Sequence, residues 1–255
     1  MHLFKLARPM GSKHVTRCIS SKINGDITVQ PVEQDYFQRV LDHVTPVFLK
    51  DEPLSHSFPP CTTGKREKAF RGYAEIPLRS GFSVMALDGS QVVGACLSKI
   101  LTKDEIFNHD IPEFDDPNGD PLNSGIVRML LRVHRKLDLF SLFKVNQILE
   151  VGLVSVEPSH VGRGLAARMV QRSLELGAKR GLKYAKADCT GPASAAAAKK
   201  AGMEQIYRLA YDDFKLNDKI VFKNTAHRGS HLIVVATKLQ DCEPYVLPVY
   251  PDSNL

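Results

Sequence analysis

The chain has 255 residues, of which 43% are hydrophobic, and its 34 Lys and Arg against 28 Asp and Glu leave a formal net charge of +6. That length can bury a full core, and no apolar run approaches the roughly 20 residues that cross a bilayer, so the sequence reads as a soluble domain with tails. A mixed charge pattern without a long basic run and without Trp argues against nucleic-acid binding.

The basic excess is concentrated at the start. Residues 1–25 carry Lys5, Arg8, Lys13, Arg17 and Lys22 and no acidic residue. This reads as a basic tail in a cytoplasmic protein, with a mitochondrial presequence as the alternative. The five cysteines, Cys18, Cys61, Cys96, Cys189 and Cys242, are scattered and suggest a reducing compartment rather than a disulfide framework. Cys189 follows an apolar strand with no His close in sequence, so it reads as a buried thiol rather than a nucleophile. His43, His56, His109 and His134 fall in no ligand spacing, and no metal is assigned.

In chain order, Ile27–Val32 predicts a strand and Gln34–Asp42 a helix, followed by a Pro- and Ser-rich loop or broken helix over 45–60. Gly64–Glu75 predicts a helix. Phe82–Leu87 and Gln91–Ile100 predict two strands joined at Asp88-Gly89-Ser90, a strong hairpin signal. Residues 102–123, with Pro112, Pro117, Gly119 and Pro121, predict a long irregular loop, and Gly125–Phe140 a second amphipathic helix. Then come a strand over Ile148–Val156, a helix over Leu165–Arg180 and a strand over Lys183–Asp188. A short Ala-rich helix at Ser194–Lys200 is stopped by Gly202, and Met203–Leu209 and His231–Leu239 close the fold as strands around a polar stretch, 215–230. The mixed order predicts an α+β domain over residues 26–240, with 241–255 as a C-terminal tail.

The most informative stretch is Val161-Gly162-Arg163-Gly164-Leu165-Ala166-Ala167, lying between the strand that ends at Val156 and the helix that begins at Leu165. Glycines at such a turn let the backbone approach a ligand closely, and the first free N–H groups of the helix favour a phosphate. A P-loop is excluded, because no Gly-Lys-Ser/Thr closes the turn. Gly162-x-Gly164-x-x-Ala167 also fits the loose dinucleotide fingerprint, with Asp188 at a plausible distance for a ribose contact. That fingerprint normally opens a long αβ series, whereas most of this chain precedes it.

Val156-x-Pro158 followed by Val161-Gly162-Arg163-Gly164-Leu165-Ala166 resembles the pyrophosphate loop of the GNAT superfamily of acyl-CoA-dependent N-acetyltransferases, except that Val161 stands where Gln or Arg is usual. Four further segments sharpen the resemblance to the insect-type arylalkylamine N-acetyltransferases. They are Phe48-Leu49-Lys50-Asp51-Glu52-Pro53-Leu54, Leu153 through Arg168, Cys189-Thr190-Gly191-Pro192-Ala193-Ser194-Ala195, and Val221-Phe222-Lys223 with Ala236-Thr237-Lys238. The resemblance implies a GNAT fold, a central mixed twisted sheet flanked by helices. It implies acetyl-CoA held by Val154, Val156, Val161, Gly162, Arg163, Gly164, Leu165, Ala166 and Ala167. It also implies that a small primary amine is acetylated.

The family position of Glu52 is the proposed general base, with the Asp51 charge and partial burial raising its pKa. Thr190 and Ser194 align with two serines near the departing thiolate. The structural alternative has Thr190 capping the short helix, with Ser194 in its first turn. Gly191, Pro192 and Ala193 depart from the family pattern, which bears on substrate shape. Phe48, Phe58, Tyr73, Phe82, Phe140, Phe143, Tyr207 and Tyr211 are candidates for an aryl pocket, although core packing is the better reading for each singly. The expected enzyme is a monomeric N-acetyltransferase of arylalkylamines such as serotonin, dopamine, tyramine or tryptamine, with no membrane or nucleic-acid partner. Alternatives are an enzyme for polyamines or agmatine, and a GNAT module that binds CoA without catalysis.

Overall fold

The computed structural model describes residues 27–57, 64–108, 121–223, 225 and 229–240. The basic segment 1–25, Phe58, Cys61, His109 and the segment 241–255 lie outside the described residues. Strand β1 (Ile27–Pro31) leads through a 3-10 turn into helix α1 (Phe37–Asp51), and a second 3-10 turn, Pro53–Ser57, precedes α2 (Lys65–Arg79). The hairpin β2 (Val84–Asp88) and β3 (Gln91–Thr102) follows, then α3 (Lys103–Phe107), α4 (Pro121–Leu137) and α5 (Leu139–Phe143). Strand β4 (Gln147–Val156), α6 (Leu165–Lys179), β5 (Tyr184–Cys189), α7 (Pro192–Lys200) and β6 (Glu204–Ala210) come next. A small ribbon, β7 (Lys215–Leu216) with β8 (Lys219–Ile220), precedes β9 (His231–Lys238).

Seven strands form one sheet in the order β1-β2-β3-β4-β5-β9-β6, antiparallel except for the parallel pair β4–β5. The parallel pair needs the crossover that α6 provides. One face of the sheet buries Leu149, Val151, Ala185 and Ala187 together with Leu165, Met169, Val170 and Leu174 of α6. The other buries Val40, Leu41 and Val44 of α1 and Phe70, Ala74 and Leu78 of α2 against Met85, Leu97 and Leu153. Helix α4 adds Met129 and Val133 to a further cluster with Leu54, Tyr211, Phe222, Leu232 and Val234. The α+β expectation therefore holds. Among the described residues, no helix is long and apolar enough to cross a membrane.

Several boundaries differ from the sequence reading. Helix α1 runs through Pro46 to Asp51, where a loop or broken helix was expected. Pro46 removes the bond its N–H would make to Asp42, but both residues face water, while Phe48 beyond them stacks on Phe70 at 4.7 Å. Solvent satisfies the freed carbonyl, and packing holds the last turn. Helix α2 likewise runs past Glu75 to Arg79, through Pro77. The expected loop at 102–123 opens with α3, whose Thr102 and Glu105 form a reciprocal capping box, and its residues 109–120 lie outside those described. The expected single helix over 125–140 begins at Pro121 and breaks at Asp138, which adopts φ 36° and accepts a bond from the Ser141 N–H to start α5. The polar stretch 215–230 contains the β7–β8 ribbon.

Candidate functional site

Strands β4 and β5 pair over three rungs only, Leu149 with Ala185, Glu150 with Lys186 and Val151 with Ala187. Beyond them β4 stays on β3 as far as Val156, and β5 stays on β9 as far as Cys189, so the two parallel strands part. The cause is local. On β3, consecutive Leu97 and Ser98 face Leu153 and Val151, leaving Gly152 as an extra residue on β4. Such a bulge bends a strand and re-aims the side chains that follow it. The alternation of β4 accordingly changes at Gly152. Leu149 and Val151 before it pack on the α6 face. After it, Leu153 turns to the α1–α2 face, while Val154 and Val156 pack on the α6 face.

Above the parted strands, the loop leads into α6 as the sequence predicts. Gly162 and Gly164 adopt φ of +84° and +75°, a region that disfavours side chains. Gly164 is the N-cap of α6, without a side-chain cap bond or an acid in the first turn. Its amide end is therefore positive and bounded by backbone. Leu165 and Ala167 are buried and help to seat the helix, whereas Ala166 is half-buried and Val161 is 67% exposed. The Arg163 guanidinium turns back to donate to the Ser159 carbonyl at 3.4 Å. A cation that the sequence reading missed stands here: Lys200 Nζ lies 3.6 Å from where a Cβ on Gly164 would be. It comes from the last turn of α7, 36 residues away in sequence, so nothing in the loop itself announces it.

Below the loop, α1 and β4 are tied together by buried polar groups. His43 Nε2 lies 3.0 Å from Ser155 Oγ, and its Nδ1 lies 3.7 Å from a Glu157 carboxylate oxygen. Burial holds the His43 pKa below its ordinary value despite the Glu157 charge. The same helix delivers Glu52. Because Glu52 precedes Pro53, the helical conformation is disfavoured at Glu52, and α1 ends there with its N–H on Phe48 O at 2.9 Å. Glu52 is thus a helix terminus rather than a loop residue, and at 5% exposure it is more buried than expected.

Glu52 approaches the end of β5. Its neighbour Leu54 shares a cluster with Tyr211, and the Tyr211 hydroxyl donates to the Thr190 carbonyl at 2.6 Å. Burial first, and then the Glu52 charge, raise the Tyr211 pKa. Ser194 Oγ donates to Gly191 O at 2.9 Å and also bonds the Cys189 thiol. Burial and the Asp188 charge push that thiol up to about 12, which makes Cys189 a poor nucleophile. Thr190 does not cap α7. Gly191 occupies that position, and Pro192 follows with no N–H to satisfy. Tyr211, which the sequence reading named only as a candidate for an aryl pocket, thus feels the Glu52 charge and bonds the turn that leads from Thr190 to Ser194.

The middle of the three rungs carries a second polar group. Lys186 is fully buried, with Nζ 2.6 Å from both Glu150 and Asp188 and 2.7 Å from His134 Nε2. Burial disfavours each charge, yet the Lys186 ammonium and then His134 hold the Asp188 carboxyl well below its usual range. Asp188 and Glu150 hold Lys186 above its own. His134, Glu150 and Asp188 are close enough to one another to ligate a cation, but the Lys186 ammonium stands among them and supplies the positive charge. Beside this rung a groove is lined by Tyr73, Ile76, Leu97, Lys99, Glu150, Gly152 and Leu153.

No protein-family model matches the chain. Among solved structures, arylalkylamine N-acetyltransferase 2 from Aedes aegypti aligns over 85% of this chain and 100% of its own, with a TM-score of 0.72 and 23% identity. The polyamine N-acetyltransferase of Drosophila melanogaster, which forms N-acetylagmatine, aligns over 84% of this chain and 100% of its own, with a TM-score of 0.74 and 21% identity. The C-terminal condensation domain of Ebony, solved with β-alanyl-dopamine, aligns over 83% and 98%, with a TM-score of 0.62 and 12% identity. This chain has the GNAT acetyltransferase fold. In the GNAT fold of this chain, the glycine loop and the Glu52 corner lie at the ends of strands that part after the same rung.

Proposed function

We propose that this chain is an acetyl-CoA-dependent N-acetyltransferase acting on the primary amine of an arylalkylamine of the serotonin, dopamine, tyramine or tryptamine type. The observation that carries this reading is the parting of β4 from β5 beneath the Gly162–Gly164 loop, with Glu52 buried beside the end of β5. The residues fit acetyl-CoA. Gly164 leaves the backbone open to a phosphate, α6 presents its amide end, and Lys200 adds a cation. Acetyl-CoA brings the activated acetyl thioester; the chain must manage the protons.

An alkylamine with a pKa like that of Lys leaves only about one molecule in a thousand unprotonated at neutral pH. Glu52 takes that proton, directly or through water, so that nitrogen can attack. The hydroxyls of Thr190 and Ser194 then face the departing thiolate. Tyr73, Ile76, Leu97 and Leu153 give the groove largely apolar walls, which suits an aryl or alkyl body. An enzyme for agmatine or polyamines is the second reading, favoured by the similarity to the Drosophila polyamine enzyme. A CoA-binding module without catalysis would have no use for a buried Glu52.

Thermal shift with acetyl-CoA, NAD and ATP, followed by thiol release over a panel of aryl and aliphatic amines, tests the reading. Acetyl-CoA alone raises Tm, because only a ligand of the native state stabilises it. Gly164→Val weakens that rise, since a side chain at φ +75° both strains the turn and occupies the approach. A rise with NAD and none with acetyl-CoA overturns the assignment. Faster turnover of agmatine than of phenylethylamine replaces the substrate class.

A further inference from the structure

Tyr211 is buried to 1% exposure, and no step above uses it. Its ring packs edge-on against Phe222 with centroids 5.8 Å apart, and its N–H donates to Ser230 O at 3.0 Å. The hydroxyl reaches out of this apolar cluster to a single backbone oxygen, that of Thr190, at 2.6 Å. The sequence position of that carbonyl explains why it needs the bond. The β5 ladder ends at Cys189, paired with Ile233, and the first bond of α7 is made by Gly191 O, which accepts from Ala195 N at 3.2 Å. Thr190 lies between the two, where neither strand nor helix supplies a donor. Gly229 also abuts this turn, since a Cβ there would come within 3.1 Å of Thr190 O and 3.3 Å of Gly191 Cα.

We infer that Tyr211 is a positioning residue for acetyl transfer: its hydroxyl fixes the Thr190 carbonyl, and with it the turn that carries the Thr190 and Ser194 hydroxyls, against the side of the fold that holds Glu52. This rests on the function proposed above. The role is not that of an acid. Burial and the Glu52 charge raise the phenol's pKa above its ordinary value, and an ordinary thiol titrates lower, at about 8.5, so passing the phenol proton to a thiolate runs uphill. What the hydroxyl offers is geometry, and a misplacement of about 1 Å can cost about a hundredfold in rate.

Tyr211→Phe removes one oxygen and keeps the ring. The expected result is a fall in kcat of about tenfold or more, with KM for acetyl-CoA and its thermal shift within about twofold of the parent. Combined with Ser194→Ala, the two losses are less than multiplicative, because both act through one turn. Gly229→Ala presses on the same carbonyl while leaving the Tyr211 hydroxyl in place, and gives the same loss of kcat with retained acetyl-CoA binding. Full kcat in Tyr211→Phe overturns the inference, as does a loss that multiplies fully with that of Ser194→Ala. A parent protein that releases no thiol with any amine instead removes the proposed function, and the tyrosine's role with it.

Discussion

The two ends of the parted strands are built in different ways. Under the proposed function, the glycine loop works through main-chain amides of a contiguous segment that runs from Val156 to Ala167, with Lys200 a side chain brought from afar. At the Glu52 corner the groups are side chains from three separate stretches of chain: the end of α1, the β5–α7 turn and the segment after β6. A site of amides tolerates change at many side chains, because the backbone path carries the chemistry. A site of gathered side chains fails through any one of them.

The largest effect separating the two ends is expected from Glu52→Gln, which keeps shape and polarity but cannot accept the amine proton. General-base catalysis is worth about a hundred- to ten-thousand-fold, so turnover should fall by at least the lower figure. The acetyl-CoA thermal shift should hold, because it belongs to the other end. The acidic limb of the pH–rate profile should also vanish where that limb reports Glu52 rather than the substrate amine. A mutant of nearly full turnover with an unaltered profile would remove Glu52 from the mechanism and leave water or another carboxylate.

Next in size is the buried middle rung of the β4–β5 pair. Lys186→Met leaves Glu150 and Asp188 without their shared cation, and removing one member of a buried charge group costs about 3–5 kcal/mol. The pH dependence gives the sign. In the parent, the Asp188 carboxyl is depressed, so its contribution is present above the unfolded carboxylate pKa and is lost as pH falls through the folded one. Without Lys186 the buried Asp188 loses the ammonium that lowers its pKa, and its pKa rises. The variant should then regain stability as pH falls, opposite to the parent. Equal urea midpoints for parent and variant at pH 7 would show the rung to be structurally neutral.

The smallest effect is expected at Lys200, which is exposed and therefore screened by salt. Lys200→Ala should raise the KM for acetyl-CoA about two- to fivefold at low ionic strength, and the difference should shrink in high salt. Because Val161 is exposed on the same loop and carries no charge, Val161→Arg should restore part of the loss. A salt-independent change would mean that Lys200 acts by packing on α6 rather than by charge.

Much of this architecture was legible in the chain itself. The Asp88-Gly89-Ser90 hairpin, the β4 strand, the Gly162–Gly164 turn and the α6 periodicity rest on backbone chemistry that neighbouring residues decide. Glu52-Pro53 likewise ends α1 by a local steric rule, although the turn beyond Pro46 is held by packing, Phe48 stacking on Phe70. The Thr102-Lys103-Asp104-Glu105 box is a local pattern of the same kind, and it starts a helix where the prolines further along favour a loop. Which distant side chains meet is a different matter, and pairing and packing settle it. The Gly152 bulge depends on a one-residue mismatch with β3, visible only once the strands pair. Lys186 shares its charge with residues on another strand and another helix. The Tyr211 hydroxyl finds an orphan carbonyl that exists only because β5 stops one residue too soon for α7 to serve it. Local conformations follow from nearest neighbours in the chain, whereas burial, register and the satisfaction of leftover polar groups are settled by the whole fold at once.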